Sequence, residues 1–586
     1  MSFRKTRRFL YVFAVALSAL LAAVAVHAQT NPQTRPDDVI RVNTELVQTD
    51  VMVFDKKGRF VDQLTSDQFQ LIVDKKPEPI AFFERVTSGP RRKDTQPEGS
   101  ASMNPTAASR RGRTMLFFVD DLHLSPDSIV RTRKALTEFI DAGVAEHDQV
   151  AVTSASGQIG FLQQFTDDKV VLQTAVARLK YRGNSKVDTD GPPMTEYMAS
   201  RIRDGDEAAI GYYVSEVMKQ NCFTHSGEVV CMVNTQGARS LVIERARQIV
   251  VQSAPDTDNS LIQLEGLMRT AGQLPGRKLV FVISDGFYLN DRQYGSTERI
   301  KRITDAAGRA GVVIYTLDAR GIISGEMDAT NNRPSDPAGQ LAGAAIGEVT
   351  SSQDGLNALA RDTGGRPLRN TNLPMNQWID QILDETANYY LLAWRPSDEK
   401  QKGSKFSHIA VSIKDRPDLV VRLRRGYFRT TPLPMLTIKP KHEKDPAKAA
   451  ENDLRAVIDA PLAQGEVPTA LSLEFLQVPG VGTKVVASLE INRAALTFDV
   501  SDGKQIAVVD IGGIIYDDKG NPKSSFVGRV RILGAAENSP EQNLPAIYRF
   551  QSWLPAGLYQ VRVGLRDASS GKAGTAMQWI KIPALN

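Results

Sequence analysis

The central half of the chain alternates between short apolar runs and segments with helical periodicity. Residues 115–119 form a continuous apolar run, and residues 126–142 then place apolar side chains on one helical face. Further buried strands are predicted at 150–153, 279–283, 312–317 and 389–394, and further helices at 167–180, 256–274, 296–310, 353–363 and 374–388. Apolar strands that alternate with helices predict an α/β domain over residues 114–396, with a doubly wound, mostly parallel sheet covered on both faces.

Both flanks of this pattern are rich in β structure. Residues 39–88 and 404–428 combine β-branched runs with tight turns, so we expect them to pack together as one β structure with the α/β domain inserted between them. Residues 453–586 show short strands at regular spacing, which predicts an Ig-like β-sandwich. The segments 89–113 and 429–452, rich in Pro and in Ser, Gly, Arg or Lys, are predicted linkers.

Two long insertions interrupt the α/β pattern, at residues 181–238 and 320–351. Loops of this length are usually functional or disordered. The first insertion carries the two cysteines of the chain, Cys222 and Cys231, and Ser226-Gly227 lies near the middle of the segment between them. A hairpin that turns there would bring the cysteines opposite each other. We therefore predict a disulfide, with two free thiols as the alternative, and no zinc site.

The N-terminus resembles a secretory signal. Arg4, Lys5, Arg7 and Arg8 precede an uncharged, mostly apolar stretch, and small residues flank a cleavage position before Gln29. Residues 1–28 are therefore a predicted signal peptide, and an uncleaved membrane anchor is the alternative. The prediction is an exported protein, periplasmic or extracellular, with no membrane span after cleavage.

The remaining chain has little excess charge. Removal of residues 1–28 takes away four positive charges and lowers the formal net charge from +5 to +1. Nucleic-acid binding needs a concentrated basic face, which this balance does not indicate. A Gly-x-Ser-x-Gly elbow and a phosphate-binding Gly-x-x-x-x-Gly-Lys-Ser/Thr loop are both missing from the sequence. We therefore expect a binding protein and not an enzyme.

Acidic residues follow two of the predicted parallel strands. The first strand runs into Asp120 and Asp121, with His123 and Ser125 close behind, and a later strand runs into Ser284-Asp285-Gly286. Ligands of open α/β sheets bind at the carboxyl ends of the strands. Two such loops can gather oxygen ligands around a hard divalent cation.

These loops resemble those of the von Willebrand factor A family over roughly residues 114–395. That family carries an Asp-x-Ser-x-Ser loop after its first strand, a Thr from a second loop and an Asp after a later strand. The resemblance implies Asp285 as the later Asp and Thr195 as the Thr. It implies a fold of the von Willebrand factor A or Rossmann-like kind and a metal-ion-dependent site, with Mg²⁺ or Mn²⁺ expected ahead of Zn²⁺.

The first loop departs from the family pattern, and two registers are open. Asp121, His123 and Ser125 match the spacing, with His in place of the first Ser. Asp120 matches the position at the strand end, but leucines then replace both Ser residues. The metal site is therefore degenerate. The alternative is that these acidic residues cap the next helix or bind loop amides.

Motifs on both flanks extend the resemblance to the secreted von Willebrand factor A-related proteins of acidobacteria. These motifs are residues 41–48, 53–61, 64–69, 389–396 and 424–428. The resemblance implies an exported binding or adhesion protein whose partner is a protein or an envelope or matrix ligand. The alternatives are a metal-free structural scaffold of the cell envelope and a secreted metallohydrolase.

Overall fold

The computed structural model describes most of the chain after residue 46. The described residues are 47–87, 112–182, 192–225, 228–272, 274, 276–289, 295–322, 336, 341, 343–395, 406–423, 426–428, 446–459, 465–478, 481–501, 504–534 and 544–584. They belong to one compact unit, Val47–Asn586. The predicted signal peptide and most of the two predicted linkers lie outside them.

The strands, numbered in chain order, are β1 (Val47–Phe54), β2 (Phe69–Val73), β3 (Lys76–Glu78), β4 (Phe82–Thr87), β5 (Thr114–Val119), β6 (Gln149–Ser154), β7 (Cys222–His225), β8 (Glu228–Cys231), β9 (Lys278–Ser284), β10 (Val312–Asp318), β11 (Pro367–Leu368), β12 (Asn388–Trp394), β13 (Phe406–Ile413), β14 (Val420–Arg422), β15 (Gly426–Phe428), β16 (Thr469–Val478), β17 (Gly482–Ile491), β18 (Asp499–Ser501), β19 (Lys504–Asp517), β20 (Pro522–Leu533), β21 (Ala546–Leu554), β22 (Gly557–Asp567) and β23 (Ala573–Ile582).

The helices are α1 (Pro126–Gly143), α2 (Lys169–Ala177), α3 (Glu196–Arg203), α4 (Glu207–Asn221), α5 (Thr235–Ala271), α6 (Ser296–Ala310), α7 (Ala344–Asp362), α8 (Met375–Thr386) and α9 (Pro446–Asp459). Among the described residues, no helix combines the length and the apolar character needed to cross a membrane.

A five-stranded parallel sheet forms the centre of the described α/β region, as the alternation of strands and helices predicts. Its order is β11-β10-β9-β5-β6, and every neighbouring pair is parallel. Counted along the chain, this order is 2-1-3-4-5, so the strand order reverses between β5 and β9. Sheets of this kind bind ligands at such a reversal.

Side chains of β5 alternate between the two faces of the parallel sheet. Met115, Phe117 and Val119 pack with α1, α2 and α8, whereas Leu116 and Phe118 pack with α5, α6 and α7. Because helices cover both faces, every β5 position from 115 to 119 is buried. This explains why the strand is a continuous apolar run in the sequence.

The β-rich segments before and after the α/β region pair with each other. The strand predicted at 389–394 as part of the α/β domain belongs to this β structure, because β12 pairs antiparallel with β1 and β4 and not with the parallel sheet. β1 lies between β12 and β14, and β2 lies between β3 and β13, all antiparallel. Their shared core surrounds Tyr390, whose ring stacks on Phe60 and Phe83 at centroid distances of 5.5 Å. The chain leaves this β structure at Thr87 and returns at Asn388, and these two residues pair across β4 and β12.

Two antiparallel sheets share one core near the C-terminus. β16, β17 and β21 form the first, and β18, β19, β22 and β23, with β20 beside β19, form the second. Helix α9 lies on the second sheet and was not expected, because the sequence predicts a linker to residue 452 and no strong helix beyond it. Leu454 and Ile458 of α9 approach the positions where a Cβ would stand at Gly512 and Gly564. Glycines without side chains therefore make room for this helix.

The first insertion contains α3, α4, the β7–β8 hairpin and the beginning of α5. Cys222 and Cys231 face each other across the hairpin and form the predicted disulfide, with an S–S distance of 2.01 Å. Helix α5 has 37 residues and begins well before the predicted helix at 256–274, with Pro255 inside it. Its first part packs with α3 and α4 in a separate core, and its last part packs on the parallel sheet.

Candidate functional site

The turns after β5 and β9 meet at one rim of the parallel sheet. The backbone N–H of Asp120, directly after β5, donates to the carbonyl oxygen of Ile283 in β9 at 2.9 Å. Asp285 directly follows β9. The two acid-bearing turns therefore lie side by side where the strand order reverses.

The carboxylate of Asp120 is buried and accepts hydrogen bonds from three side chains. Nδ1 of His123 lies 3.0 Å from Oδ1 and 2.9 Å from Oδ2. Ser260 donates to Oδ1 at 2.5 Å, and Ser284 donates to Oδ2 at 2.8 Å. Burial raises the pKa of Asp120, but the charge of His123 and these hydrogen bonds outweigh it, so the pKa lies below its ordinary value.

His123 joins the rim to helix α5. Its Nε2 lies 3.1 Å from Oγ1 of Thr257, and its ring lies against Phe287 with the centroids 5.8 Å apart. Burial lowers the pKa of His123, but attraction to Asp120, and more weakly to Glu196 and Asp256, leaves it raised. Both pKa values are therefore shifted in the directions that an ion pair produces.

The chain Asp120, His123, Thr257 has the order of acid, base and hydroxyl that hydrolases use. The hydroxyl belongs to a residue that is only 4% exposed and lies inside α5. A nucleophile must reach its substrate, and this one is covered by protein. The arrangement therefore favours a structural contact between helix and sheet.

Asp121 points away from His123. Its Oδ1 accepts from the backbone N–H of Ser156 at 2.9 Å, and its Oδ2 accepts from the Ser156 hydroxyl and the Gln158 amide. Ser156 and Gln158 lie in the loop after β6. The structure therefore brings Asp120, and not Asp121, next to His123.

Ser125 and Asp285 are joined across the rim. The backbone N–H of Ser125 donates to Oδ2 of Asp285 at 2.8 Å, and the Ser125 hydroxyl caps α1 by accepting from the Ser128 N–H at 3.3 Å. Oδ1 of Asp285 is buried and has no hydrogen-bond partner among the described residues. Burial raises the pKa of Asp285, and the hydrogen bond from Ser125 offsets only part of that effect.

Thr195 caps α3, where its hydroxyl accepts from the N–H of Met198 at 3.3 Å. Its neighbour Glu196 lies near enough to His123 to contribute to the raised pKa of the imidazole. The first insertion therefore acts on the rim through the charge of Glu196, and the described contact of Thr195 is a helix cap.

Gly286 lets the loop after β9 pass close to α7. Its φ is +90°, and a Cβ at this position would lie 2.4 Å from the carbonyl oxygen of Ser352. The next residue, Phe287, donates its N–H to that same oxygen at 3.0 Å. Glycine is therefore required here for both conformation and space.

A further acidic side chain stands at the same rim, at the end of β10. Asp318 binds the guanidinium group of Arg320 at 2.8 Å and 2.6 Å and accepts from Nε2 of Gln353 at 2.6 Å. The sequence interpretation did not identify this pair. An acid followed by a basic residue directly after a buried strand is the signal that would have indicated it.

Three further residues of the site were also missed. Thr257 and Ser260 contact His123 and Asp120 from α5, and Ser284 contacts Asp120 from the last position of β9. Ser284 stands in a motif that the sequence already singles out. The polar residues 256–260 inside an otherwise helical segment are the only sequence sign of the contacts from α5.

The side chains do not fit the ligand set that the family resemblance implies. The implied ligands were Asp120, Asp121, His123, Ser125, Thr195 and Asp285. Asp121 and Thr195 bind other protein groups, and both oxygens of Asp120 accept from side chains, so an ion would have to displace a donor. Within the described ranges, no three His, Cys, Asp or Glu side chains are grouped to hold a metal ion, but the implied ligand set also includes Ser and Thr, so the divalent cation stays a prediction.

Comparison with known proteins leaves the chain without an assigned family. No family model matches it, and no curated protein matches it. An X-ray structure of a structural-genomics target aligns at 16% identity over 21% of this chain and 88% of its own, with a TM-score of 0.12. The ApaA protein of Bordetella pertussis aligns at 15% identity over 20% of this chain and 97% of its own, also with a TM-score of 0.12. The β-glucuronidase of Bacteroides uniformis aligns at 9% identity over 33% of this chain and 19% of its own, with a TM-score of 0.14. Scores this low carry no argument about function.

Proposed function

We propose that this chain is an exported binding protein of the von Willebrand factor A-related kind, with a doubly wound α/β domain. Its partner, a protein or an envelope or matrix ligand, engages the rim at the carboxyl ends of β5, β9 and β10. The disulfide between Cys222 and Cys231 is compatible with an oxidising compartment outside the cytoplasm.

The observation that carries the proposal is the meeting of Asp120 and Asp285 where the strand order reverses. Open α/β sheets bind their ligands in the crevice at this position, because the loops diverge there to opposite faces. Polar side chains from three neighbouring strand ends converge at this rim, and each of them is held in place by hydrogen bonds.

The first insertion adds surface on the same side of the sheet. Thr257 and Ser260 of α5 contact the rim, so the residues of α5 before Thr257 extend beyond it. At 1.5 Å per residue, Thr235 stands about 33 Å along the helix axis from Thr257. A partner that approaches the rim would therefore also meet this insertion.

A second candidate is the metal-free envelope scaffold, and one observation favours it. All the hydrogen bonds at Asp120 join elements of this chain to each other, namely the loop after β5, β9 and α5. A rim built only for stability would show the same pattern. The two candidates differ in whether changes at the exposed surface of the rim affect binding.

The test measures binding of the fluorescently labelled protein to the isolated envelope fraction of the source organism. Ile322 lies four residues after β10 and is 64% exposed, so Ile322→Arg alters the rim surface without touching a core. Val500→Arg is the matched control, since Val500 is equally aliphatic, 75% exposed and lies in the C-terminal sheets. We expect Ile322→Arg to weaken saturable binding at least tenfold and Val500→Arg to leave it unchanged.

Two outcomes would contradict the proposal. If both variants keep saturable binding, the partner binds elsewhere than at the rim. If no saturable binding is found, the metal-free scaffold is favoured. Turnover in a screen of phosphoester and peptide substrates with Mg²⁺, Mn²⁺ and Zn²⁺ would instead support the metallohydrolase.

A further inference from the structure

His123 contacts both carboxylate oxygens of Asp120, as a bound cation does. Its Nδ1 lies almost equally far from the two oxygens, at 3.0 Å and 2.9 Å. A divalent ion that binds a carboxylate through both oxygens is also shared between them, at about 2.0–2.6 Å. The ring nitrogen is therefore shared by both oxygens of Asp120 as such an ion would be, at a longer distance.

We propose that the His123 side chain is the built-in cation of this rim, so that the site works without a divalent metal. This inference rests on the proposed function, because it takes the rim to be a binding site. It adds that His123 balances the charge of Asp120 and that the rim does not require a divalent metal.

The acceptor positions of Asp120 support this inference. A carboxylate offers about four lone-pair positions. Oδ1 accepts from Ser260, Oδ2 accepts from Ser284, and the single Nδ1–H of His123 lies within hydrogen-bond distance of both oxygens, so three donors surround the carboxylate. A buried carboxylate needs a partner of opposite charge, and the imidazolium supplies it.

The sequence departs from the family pattern in the same direction. With Asp120 in the Asp position, Leu122 and Leu124 stand where the two Ser ligands would be. Leu124 is buried in the core beside α1, and Leu122 packs on the opposite core. Compared with that pattern, the loop offers two fewer oxygen ligands and carries one basic side chain, which is what a site without a metal would need.

His123 is held from its far side as well. Nε2 contacts Thr257 of α5 at 3.1 Å, and the ring packs against Phe287. The ring cannot turn out to admit an ion unless the contact with α5 breaks. Asp318 at the next strand end has its own basic partner in Arg320, two residues later. Two strand-end carboxylates of one rim are thus neutralised by side chains from the loops that follow them.

The test is calorimetric titration of the purified protein with MgCl₂ and with MnCl₂. We expect no saturable heat and the same Tm in EDTA and in excess Mn²⁺. His123→Ser removes the cation and leaves Asp120 beside Ser260, Ser284 and the new hydroxyl, so this variant should gain saturable Mn²⁺ binding and a rise in Tm with Mn²⁺. The added change Asp120→Asn should abolish that gain.

His123→Lys is the matched control, because it keeps a positive charge and should fold without acquiring Mn²⁺ binding. Saturable Mg²⁺ or Mn²⁺ binding by the unaltered protein that Asp120→Asn abolishes would overturn the inference, whether or not the His123 variants fold. The envelope-binding assay separates the two proposals. If envelope binding requires Mg²⁺, the binding function is supported and the inference about His123 is wrong. If calorimetry shows no metal binding and the protein does not bind the envelope, only the proposed binding function is wrong.

Discussion

The ring of Phe161 meets the indole of Trp579 edge-on, with the ring centroids 5.9 Å apart. Phe161 lies in the short helical turn after β6, and Trp579 lies in β23. Trp579 belongs to the core that β5, α1 and α2 share, although more than 400 residues separate it from them in sequence. The C-terminal sheets are therefore joined to the α/β region by an aromatic contact.

Phe161→Ala should loosen that joint. Its half-buried ring also contacts Tyr516, with the centroids 5.4 Å apart. Loss of this buried apolar surface should lower the free energy of unfolding by about 2 kcal/mol. We expect a lower urea midpoint and faster proteolysis between residues 428 and 465. Phe475→Ala, which alters an exposed ring in β16, is the control and should change neither. Equal proteolysis of the two variants would argue against the joint.

Asp120 and His123 should be energetically coupled. Removal of one partner of a buried ion pair typically costs about 3 kcal/mol, because the other charge stays buried without a partner. We expect Asp120→Asn and His123→Ser each to lower the free energy of unfolding by about this amount. The double variant should lose about 2 kcal/mol less than the sum of the single variants. Additive losses in urea denaturation would show that the pair does not act as a unit.

Asp285 should make the protein less stable as pH rises through the acidic range. Burial raises its folded pKa above the ordinary value of 3.8, with the hydrogen bond from Ser125 and the charge of Arg320 in opposition. The folded state therefore binds this proton more tightly than the unfolded state, and stability falls from pH 3.8 upward until the folded pKa is passed. Asp285→Asn should lack this contribution. The measurement is the unfolding free energy of the variant minus that of the parent. This difference should grow with pH and then level off.

Lys278 should make the protein more stable as pH rises in the alkaline range. Burial lowers the pKa of Lys278 from 10.5 to about 8, although Asp50 opposes the shift. Its Nζ donates to the carbonyl oxygen of Leu274 at 2.7 Å. The unfolded state keeps the proton between pH 8 and 10.5, so stability should rise with pH in that window as the buried charge is removed. Relative to Lys278→Met, the parent protein should gain stability between pH 8 and 10. A constant difference between the two proteins would contradict the lowered pKa.

The disulfide should protect the hairpin and leave the rest of the fold unaffected. Phe223, Val229 and Val230 are exposed, so the hairpin contributes little to the adjoining core. A short closed loop of this kind gains roughly 2–3 kcal/mol from the crosslink. Reduction, or Cys222→Ser together with Cys231→Ser, should open residues 222–231 to proteases, while the Tm of the main unfolding transition stays unchanged, because the hairpin opens locally. Mass spectrometry of the early fragments locates the cuts, and early cuts elsewhere would count against this assignment.

The sequence predicted those parts of the fold that local pattern determines. β5 and β9 are buried on both faces, so each is an uninterrupted apolar run, and their parallel pairing placed the turns of Asp120 and Asp285 at one rim. The first part of α5 was not predicted, because Pro255 usually marks a helix boundary and the predicted helix therefore began at residue 256. Helix α9 was missed because Leu454, Val457 and Ile458 are its only large apolar side chains, which is too few for a clear helical period. The choice between Asp120 and Asp121 could not be made either, because it depends on Ser260, which reaches the rim only through the tertiary fold.

Helix α5 also limits how this protein can be shortened. Val242, Ala246 and Ile249 pack against α3 and α4, whereas Leu261, Leu264 and Met268 of the same helix pack on the parallel sheet. Excision of residues 192–234 would expose the apolar side chains of the first part of α5. The helix itself has to stay, because its last part covers the parallel sheet, so the exposed apolar surface would cause aggregation. Evolution and protein engineering therefore have to change the insertion and the α/β region together.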